Sequence, residues 1–367
     1  MNLPVCRDRR CCSPPAKAPF TAMSLVVLLL VSPPLVFAQT HVTFTKTDSS
    51  QMANMFMVTD SRTLSPLATE QYPSRNGLTY IYFQNASYAA SDGDCHIDLA
   101  FDSSGTGAHD TCCGSGDSPI TAEVLNATQN KPSSDCVHLQ SLDTTKTYWE
   151  GVFRFRNEHN CTSCFDTGER KFEIHPATKV WKLSGSSYVL DHNYGDSAHL
   201  KTVKDGMSHT IYVLEYIFSD TWSATVQSGD STKVDFTFPN SAVNYAEFKG
   251  TVTVASGTDS LGKYFVFHPT DGVVSTSGSS QPMNPPVPSN LDPRVRIVPG
   301  SLAESELNAL PNGTLTVGST LNVNALTRVD WSDIDGKIQP LGAGQSLTNQ
   351  PLKVELVALD LKNIIVR

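Results

Sequence analysis

The chain has 367 residues, of which 27 are Lys or Arg and 36 are Asp or Glu, so its formal net charge at pH 7 is −9. Residues 1–38 carry four basic side chains and one acidic side chain, and the net charge without them is −12. Nucleic acids and anionic membrane surfaces bind proteins that present a basic surface, so this acidity excludes both as partners.

The first 38 residues have the features of a signal peptide. Basic side chains occur between Arg7 and Lys17, an apolar stretch includes Leu25–Leu30, and Ala38 is the small residue required before a cleavage site. The apolar stretch spans about 15 residues and contains two prolines, so it is too short to cross a bilayer. We therefore expect a secreted protein, extracellular or periplasmic, with no integral membrane span after cleavage.

Six cysteines follow the signal peptide, and an even number in an oxidising compartment predicts disulfides. They are Cys95, Cys112, Cys113, Cys136, Cys161 and Cys164. A bridge between the adjacent Cys112 and Cys113 would be strained. If Cys161 and Cys164 close a small loop, Cys112 and Cys113 pair with the remaining two cysteines in one of two ways. A zinc site or a redox pair at the C-x-x-C of residues 161–164 is the alternative.

From residue 39 onward the sequence is dominated by strand patterns. Segments rich in β-branched and aromatic residues, several of them alternating with polar ones, are bounded by Gly, Ser, Asn and Asp. These segments are His41–Thr47, Leu78–Gln84, Tyr148–Arg156, Lys171–His175, His209–Phe218, Thr232–Phe238, Gly250–Ala255 and Lys263–His268. Short strands with short turns predict a mainly β fold built from tandem β-sandwich or β-barrel domains.

Composition divides this region into four segments. Residues 39–185 contain the six cysteines and predict a disulfide-stapled β domain, and residues 186–273 predict a second β domain. Residues 274–295 are rich in Ser, Gly and Pro and predict a linker. Residues 296–367 predict a small C-terminal α+β or β domain, with a helix that begins at a capping box on Ser301.

A weak internal sequence similarity suggests that the two large β domains arose by duplication. Residues 151–155 match residues 250–254 in their alternation of apolar and polar side chains, and residues 171–176 match residues 264–269 in the same way. The segments 171–176 and 264–269 both end in His-Pro. This alignment places His175 and His268 on outward faces, just before a proline that ends the strand. The alternative is that two unrelated strands end in His-Pro by chance.

The most interesting candidate site in the sequence combines His159, Glu173 and His175. Strand alternation places Glu173 and His175 on one face, predicted to be on the solvent side, and His159 lies near the tip of the same predicted hairpin. Two imidazoles and a carboxylate can bind a divalent metal ion, zinc or calcium, and leave a position open for water. Exposed polar side chains on a half-buried strand are the alternative.

The run Phe172-Glu173-Ile174-His175-Pro176 resembles a short motif of exported bacterial proteins of unknown function. The resemblance covers a small part of the chain. It implies a β-barrel-like domain and no particular activity.

Two polar loops also contain residue types that bind metals or transfer protons. Residues 191–199 include Asp191, His192, Asp196 and His199, which could provide a general base with its orienting acid, or a metal site. Residues 330–336 contain three aspartates, but their spacing does not match a calcium-binding loop. A solvated loop and an ordinary turn are the alternatives.

These patterns favour a non-enzymatic exported protein that serves binding, adhesion or envelope structure, with carbohydrate or another surface protein as its partner. A metal-dependent hydrolase or metal-binding domain that uses His159, Glu173 and His175 is the second hypothesis. The third is a carbohydrate-binding module that stacks sugars on outward aromatic side chains. The candidate aromatics are Trp149, Trp181, Trp222, Tyr80, Tyr82 and Tyr216.

Overall fold

The computed structural model describes residues 39–58, 81–88, 94–100, 120–126, 134–142, 146–155, 172–200, 218, 220–239, 245–273 and 280–367. These residues belong to one compact unit and are mainly β, as the sequence predicts. The predicted signal peptide lies outside the described residues.

The described strands, in chain order, are β1 (Gln39–Thr45), β2 (Met57–Val58), β3 (Ile81–Tyr88), β4 (Cys95–Ala100), β5 (Ile120–Val124), β6 (Lys146–Phe155), β7 (Phe172–Ser184), β8 (Ser187–Asn193), β9 (Thr221–Val226), β10 (Lys233–Pro239), β11 (Tyr245–Asp259), β12 (Gly262–Val273), β13 (Ser280–Pro282), β14 (Arg294–Ile297), β15 (Thr320–Val329), β16 (Ser346–Pro351) and β17 (Val354–Ile365). The helices are α1 (Lys46–Ala53), α2 (Ser134–Gln140), α3 (Leu302–Ala309) and α4 (Trp331–Ile338), with 3-10 turns at Ser289–Leu291 and Pro311–Gly313.

Five strands close a first barrel. Around the barrel the order is β3-β4-β5-β7-β6, and β6 pairs again with β3. Every pair is antiparallel except β5 with β7, and α2 lies between the third and fourth strands in the chain. The short β2 extends the sheet beyond β6, and β8 extends it beyond β7.

A second barrel repeats this arrangement. Its order is β11-β12-β14-β17-β15, and β15 pairs again with β11. The one parallel pair is β14 with β17, and α3 lies between the third and fourth strands. In both barrels the strands therefore follow the order 1-2-3-5-4, with strands 3 and 5 parallel. This is the topology of an OB-type Greek-key barrel.

The equivalent strands of the two barrels differ from those that the internal sequence similarity suggested. The sequence similarity matched β6 and β7 with β11 and β12, but the order of strands in the barrels matches β6 and β7 with β15 and β17. The similar segments share a local feature instead. A Cβ atom on Gly151 would lie well inside van der Waals contact of Pro176 O, and one on Gly250 would do the same with His268 O. Both pairs of strands thus require a glycine where the backbones approach closely.

A separate antiparallel sheet has the order β1-β10-β9-β16. Its core is aromatic: the Phe44 ring lies 5.5 Å from Phe236 and 5.7 Å from Trp331, which is the first residue of α4. Helix α4 and strand β16 lie between β15 and β17 in the chain, so the connection between strands 4 and 5 of the second barrel completes this sheet.

Sheet pairing crosses the predicted domain boundaries. The predicted domain 186–273 is divided, because β9 and β10 join β1 and β16, whereas β11 and β12 form a barrel with strands of the C-terminal region. The predicted linker 274–295 includes β13 and the start of β14. Among its described residues, the side chains of Met283, Val287, Leu291 and Val295 are buried, although the Ser- and Pro-rich composition suggested that the segment could not bury much apolar surface.

Cys95 and Cys136 form a disulfide with each other. The predicted pairing of each with Cys112 or Cys113 is therefore wrong. Cys95 is the first residue of β4 and Cys136 lies in α2, so the fold brings together two buried cysteines that are 41 residues apart. The other four cysteines lie outside the described residues.

Replacing Gly250 by Ala tests the close approach of β11 to β12. The added methyl group would collide with backbone, which cannot move as a side-chain end can, so we expect a loss of about 1–3 kcal/mol in the free energy of unfolding. The control is Gly229→Ala, at an exposed turn with no atom within 4 Å of the added carbon, which should change stability by less than about 0.5 kcal/mol. Urea unfolding of both variants measures this, and equal effects would contradict the account.

A second prediction concerns Glu306 on α3, whose Oε2 accepts a hydrogen bond of 2.6 Å from the backbone N–H of Leu361. Burial, together with the neighbouring Asp360 carboxylate, raises the pKa of Glu306 from 4.5 to about 7 despite that bond. The folded protein then holds a proton that the unfolded chain releases, so the free energy of unfolding falls as pH rises from 4.5 to about 7.

Glu306→Gln removes this titration, so the difference in stability between wild type and variant should depend on pH across that interval. Urea unfolding below, within and above the interval measures the difference. A difference that is constant with pH would show that Glu306 does not titrate there.

Candidate metal centre

A group of ionisable side chains lies on the outer face of the first barrel. On β5, Ala122 and Val124 pack in the main apolar core, so the side chain of Glu123 points outward. On β7, Ile174 packs in the same core, so Glu173 and His175 point outward as well. Register places Arg154 of β6 directly opposite Glu173. Asp94 directly precedes β4.

This outer face is not exposed to solvent. The exposed fractions are 0% for Asp94, Arg154, Glu173 and His175 and 1% for Glu123. The prediction that Glu173 and His175 lie on a solvent-side face is therefore wrong. Alternation assigned the face correctly, but a second layer of protein covers it.

The second barrel covers the part of this face that bears Arg154. Arg154 Nε donates to Thr327 O at 3.0 Å, and Arg328 Nη1 donates to Phe153 O at 2.9 Å, so β6 and β15 exchange hydrogen bonds across the interface. An apolar cluster surrounds these bonds and draws on both barrels. Its buried members are Phe56, Leu125, Val152, Leu200, Val298, Leu326, Val357 and Leu359.

Three of the buried side chains converge on one point. Donor atoms of Asp94, Glu123 and His175 all lie within 4.8 Å of one another, and the group could hold a metal ion. His175 Nδ1 lies 3.3 Å from Glu123 Oε2, and His175 Nε2 lies 3.8 Å from Asp94 Oδ2. Arg154 Nη1 is 2.7 Å from His175 Nδ1, which accepts the bond because a guanidinium only donates.

The group shares one residue, His175, with the predicted site. His175 belongs to the group, and His159 lies outside the described residues. Glu173 faces Arg154 Nη1 at 3.2 Å and His175 Nδ1 at 3.7 Å, so it lies beside the group. Sequence reasoning missed Asp94 and Glu123. The available signal was Glu123, the one acidic residue in the otherwise uncharged strand Ile120–Val124.

This group is rich in carboxylates. Among the described side chains, the carboxylates of Asp94, Glu123 and Glu173 lie near one guanidinium, Arg154, and one imidazole, His175. Carboxylate oxygens and an imidazole nitrogen are ligands that divalent metal ions accept, so the composition of the group suits such an ion.

The second barrel holds a comparable cluster in which the charges are paired. Register places Arg328 of β15 opposite Glu355 of β17, as Arg154 lies opposite Glu173. Arg296 Nε donates to Glu355 Oε1 at 3.0 Å, and Arg296 Nη1 donates to Asp259 Oδ1 at 2.6 Å. Although burial opposes it, the hydrogen bond from Arg296 holds the pKa of Asp259 below its ordinary value.

The polar loop at 191–199 ties α2 to the end of the first barrel. Asp191 lies 2.5 Å from His138 Nε2 and 2.6 Å from Lys182 Nζ. Burial alone would raise the pKa of Asp191, but these two bonds hold it below its ordinary value. His199 lies 2.8 Å from Asp196 and 3.2 Å from Asp135. These contacts join the loop to α2 and to β7.

The aspartates at 330–336 serve helix α4. Asp330 caps the helix by accepting from the backbone N–H groups of Ser332 and Asp333, and Asp333 pairs with Lys337 at 2.6 Å. Their carboxylates thus point to backbone amides and a lysine, and they do not converge as calcium ligands would.

The candidate sugar-stacking aromatics whose side chains the structure describes do not form one surface. Trp149 and Trp222 are buried, and the half-buried Trp181 stacks on Tyr148 at 5.6 Å. The side chains of Tyr80, Tyr82 and Tyr216 lie outside the described part of the structure.

Comparisons of the chain with protein-family models, with curated proteins and with solved structures find no match. Among the described helices, none combines the length and the apolar character needed to cross a membrane. Function must therefore be argued from the side chains of the site.

Removing the guanidinium of Arg154 tests the buried charge cluster. Arg154→Met leaves Glu173 without its cation and breaks the bond to Thr327 O, so we expect a loss of about 3–5 kcal/mol in the free energy of unfolding. The control is Lys179→Met, which breaks the half-exposed pair with Glu150 on the same two strands and should cost less than about 1 kcal/mol. Urea unfolding compares them, and an Arg154 variant as stable as the control would contradict the account.

Proposed function

We propose that this chain is an exported, non-enzymatic binding protein whose first barrel is stabilised by a divalent metal ion bound by Asp94, Glu123 and His175. The observation that carries the proposal is the convergence of these three buried donors within 4.8 Å. Each lies on a different element: the residue before β4, the strand β5 and the strand β7. An ion there would cross-link three parts of the first barrel.

The donor set favours zinc. An imidazole nitrogen with two carboxylate oxygens suits zinc, whereas calcium prefers six to eight oxygen ligands. Manganese and ferrous iron accept the same donors, so the measurement must distinguish these ions.

Burial supports a structural role for the ion. A catalytic metal needs an open coordination position that a substrate can reach. The three donors are no more than 1% exposed, so a substrate could reach the ion only if the surrounding structure opened. This arrangement favours the non-enzymatic alternative over the metal-dependent hydrolase.

Export is supported by the signal-peptide pattern of residues 1–38 and by the disulfide between Cys95 and Cys136, because disulfides persist in oxidising compartments. The acidic mature chain fits a partner such as carbohydrate or another surface protein rather than nucleic acid.

Elemental analysis of the native protein tests the ion directly. We expect about one equivalent of metal per chain, and a lower unfolding temperature after chelation, because an ion that binds only the folded state stabilises it. His175→Ala should lose the metal. The matched control is His268→Ala, which removes the other His-Pro histidine, paired with Asp292 in the second barrel, and should retain it.

Glu123→Gln provides a gentler test, because it removes one charge at nearly constant shape. It should remain folded and bind the ion more weakly. Native wild-type protein that stays metal-free after incubation with zinc, manganese or calcium would overturn the proposal.

A further inference from the structure

Two arginines lie side by side on the outer face of the second barrel. In the segment Arg294-Val295-Arg296 of β14, Val295 packs in the main core, so both arginines point outward. On the neighbouring strand β12, Val266 lies opposite Arg294, and Tyr264 lies opposite Arg296. Arg294 Cζ is 5.1 Å from the centroid of the Tyr264 ring, and Arg296 Cζ is 5.5 Å from it. Two cations and an aromatic ring thus meet on this face.

Three guanidiniums share two carboxylates in this cluster. Arg296 bonds to Asp259 at 2.6 Å and to Glu355 at 3.0 Å. Arg328 Nε lies 2.8 Å from Glu355 Oε2. Arg294 Nη1 lies farther from the same carboxylates, 4.0 Å from Asp259 and 3.8 Å from Glu355, and both distances are too long for a hydrogen bond. Among the described side chains, Arg296 and Arg328 therefore match the two carboxylates, and the charge of Arg294 is in excess.

Two further aspartates lie near this cluster, and neither forms an ion pair with Arg294 within the described structure. Asp292 pairs with His268 at 2.6 Å. Asp330 accepts hydrogen bonds from two backbone N–H groups at the start of α4. Burial raises the pKa of Asp330 although the charge of Arg294 acts in the opposite direction. Neither carboxylate is therefore placed to neutralise Arg294 directly.

Arg294 is also accessible and has unused hydrogen-bond donors. Its side chain is 33% exposed, whereas that of Arg296 is 0% exposed. Arg294 donates no hydrogen bond within the described structure, and its Nε is buried without a partner. A guanidinium carries five N–H donors in a planar fork that matches the two oxygens of a carboxylate. A carboxylate brought by a ligand would neutralise the excess charge and accept from these donors.

The neighbours of Arg294 indicate which class of molecule carries that carboxylate. Tyr264 and Val266 are half-buried, and Val254 of β11, directly opposite Val266, is 48% exposed. The C–H groups of a sugar ring can pack on aromatic and aliphatic side chains of this kind. The formal net charge of −9 for the whole chain disfavours a nucleic acid, the other common polymer that carries both rings and negative charges.

We propose that Arg294, Tyr264 and Val266 form a binding site for a carboxylate-bearing sugar of an acidic glycan. Arg294 donates to the sugar carboxylate, while Tyr264 and Val266 contact the ring. Arg296 keeps its bonds to the two carboxylates of the barrel and does not contact the ligand. The inference rests on the proposed binding role, for which it names the ligand class, and it is independent of the metal ion.

Isothermal titration calorimetry of the native protein with a trisaccharide of galacturonic acid tests the inference. Wild type should bind it, and Arg294→Gln should bind about tenfold to a hundredfold more weakly, because it loses hydrogen bonds between charged groups. The control is Lys249→Gln, which removes one positive charge from the same barrel. Lys249 is an exposed lysine 3.9 Å from Asp271, and its variant should bind like wild type.

Urea unfolding separates a ligand-binding role of Arg294 from a structural one. Arg294→Gln leaves two guanidiniums for two carboxylates, so its unfolding midpoint should match that of wild type. Arg296→Gln removes the bonds to Asp259 and Glu355 and should lower the midpoint, because it leaves a buried carboxylate without its cation. If Arg294→Gln lowers the midpoint as much as Arg296→Gln does, Arg294 is part of the fold and the inference is overturned.

Two further ligands identify the class that the site prefers. A neutral galactose trisaccharide lacks the carboxylates, and a glutamate tripeptide lacks the sugar rings, so both should bind more weakly than the acidic trisaccharide. The inference is wrong if the acidic trisaccharide does not bind, if the tripeptide binds equally well, or if Arg294→Gln leaves the affinity unchanged. These outcomes leave the metal site untouched, because the metal content of wild type and His175→Ala tests that site separately.

Discussion

Two buried arginines that exchange hydrogen bonds across the barrel–barrel interface are the constraint on which this structure depends. Arg154 donates to the carbonyl of Thr327, the residue before Arg328, and Arg328 donates to the carbonyl of Phe153, the residue before Arg154. Each arginine also lies opposite a glutamate of the fifth strand in its own barrel. A buried charge is stable only when it is paired and hydrogen-bonded. Separating the barrels would therefore expose these arginines to solvent or leave them without their hydrogen-bond acceptors.

Similar barrels carry different polar side chains at their buried clusters. In the second barrel the guanidinium of Arg296 pairs with Asp259 and Glu355. In the first barrel Asp94, Glu123 and His175 form a donor set that could hold a metal ion.

The sequence predicted local features well and long-range ones poorly. Period-two alternation identified several of the strands and placed Glu173 and His175 on the face opposite Ile174; the predicted strand His209–Phe218 lies, apart from its last residue, outside the described residues. It could not show that another barrel covers that face, because burial of an outer surface depends on residues far along the chain, here Thr327 and Arg328. The same limit applies to Cys95 and Cys136, which the barrel brings together across 41 residues, and to Asp94 and Glu123, whose role depends on the register of three strands. The similarity of the two His-Pro segments reflected a shared need for glycine at a close backbone approach, and it did not identify equivalent strands.

Anomalous X-ray diffraction from crystals of the native protein, recorded on both sides of the zinc absorption edge, tests the central claim most directly. The account predicts one strong anomalous peak among Asp94, Glu123 and His175, and no peak beside Arg296. Density for a side chain or for water alone at that position, in crystals grown with zinc present, would contradict it.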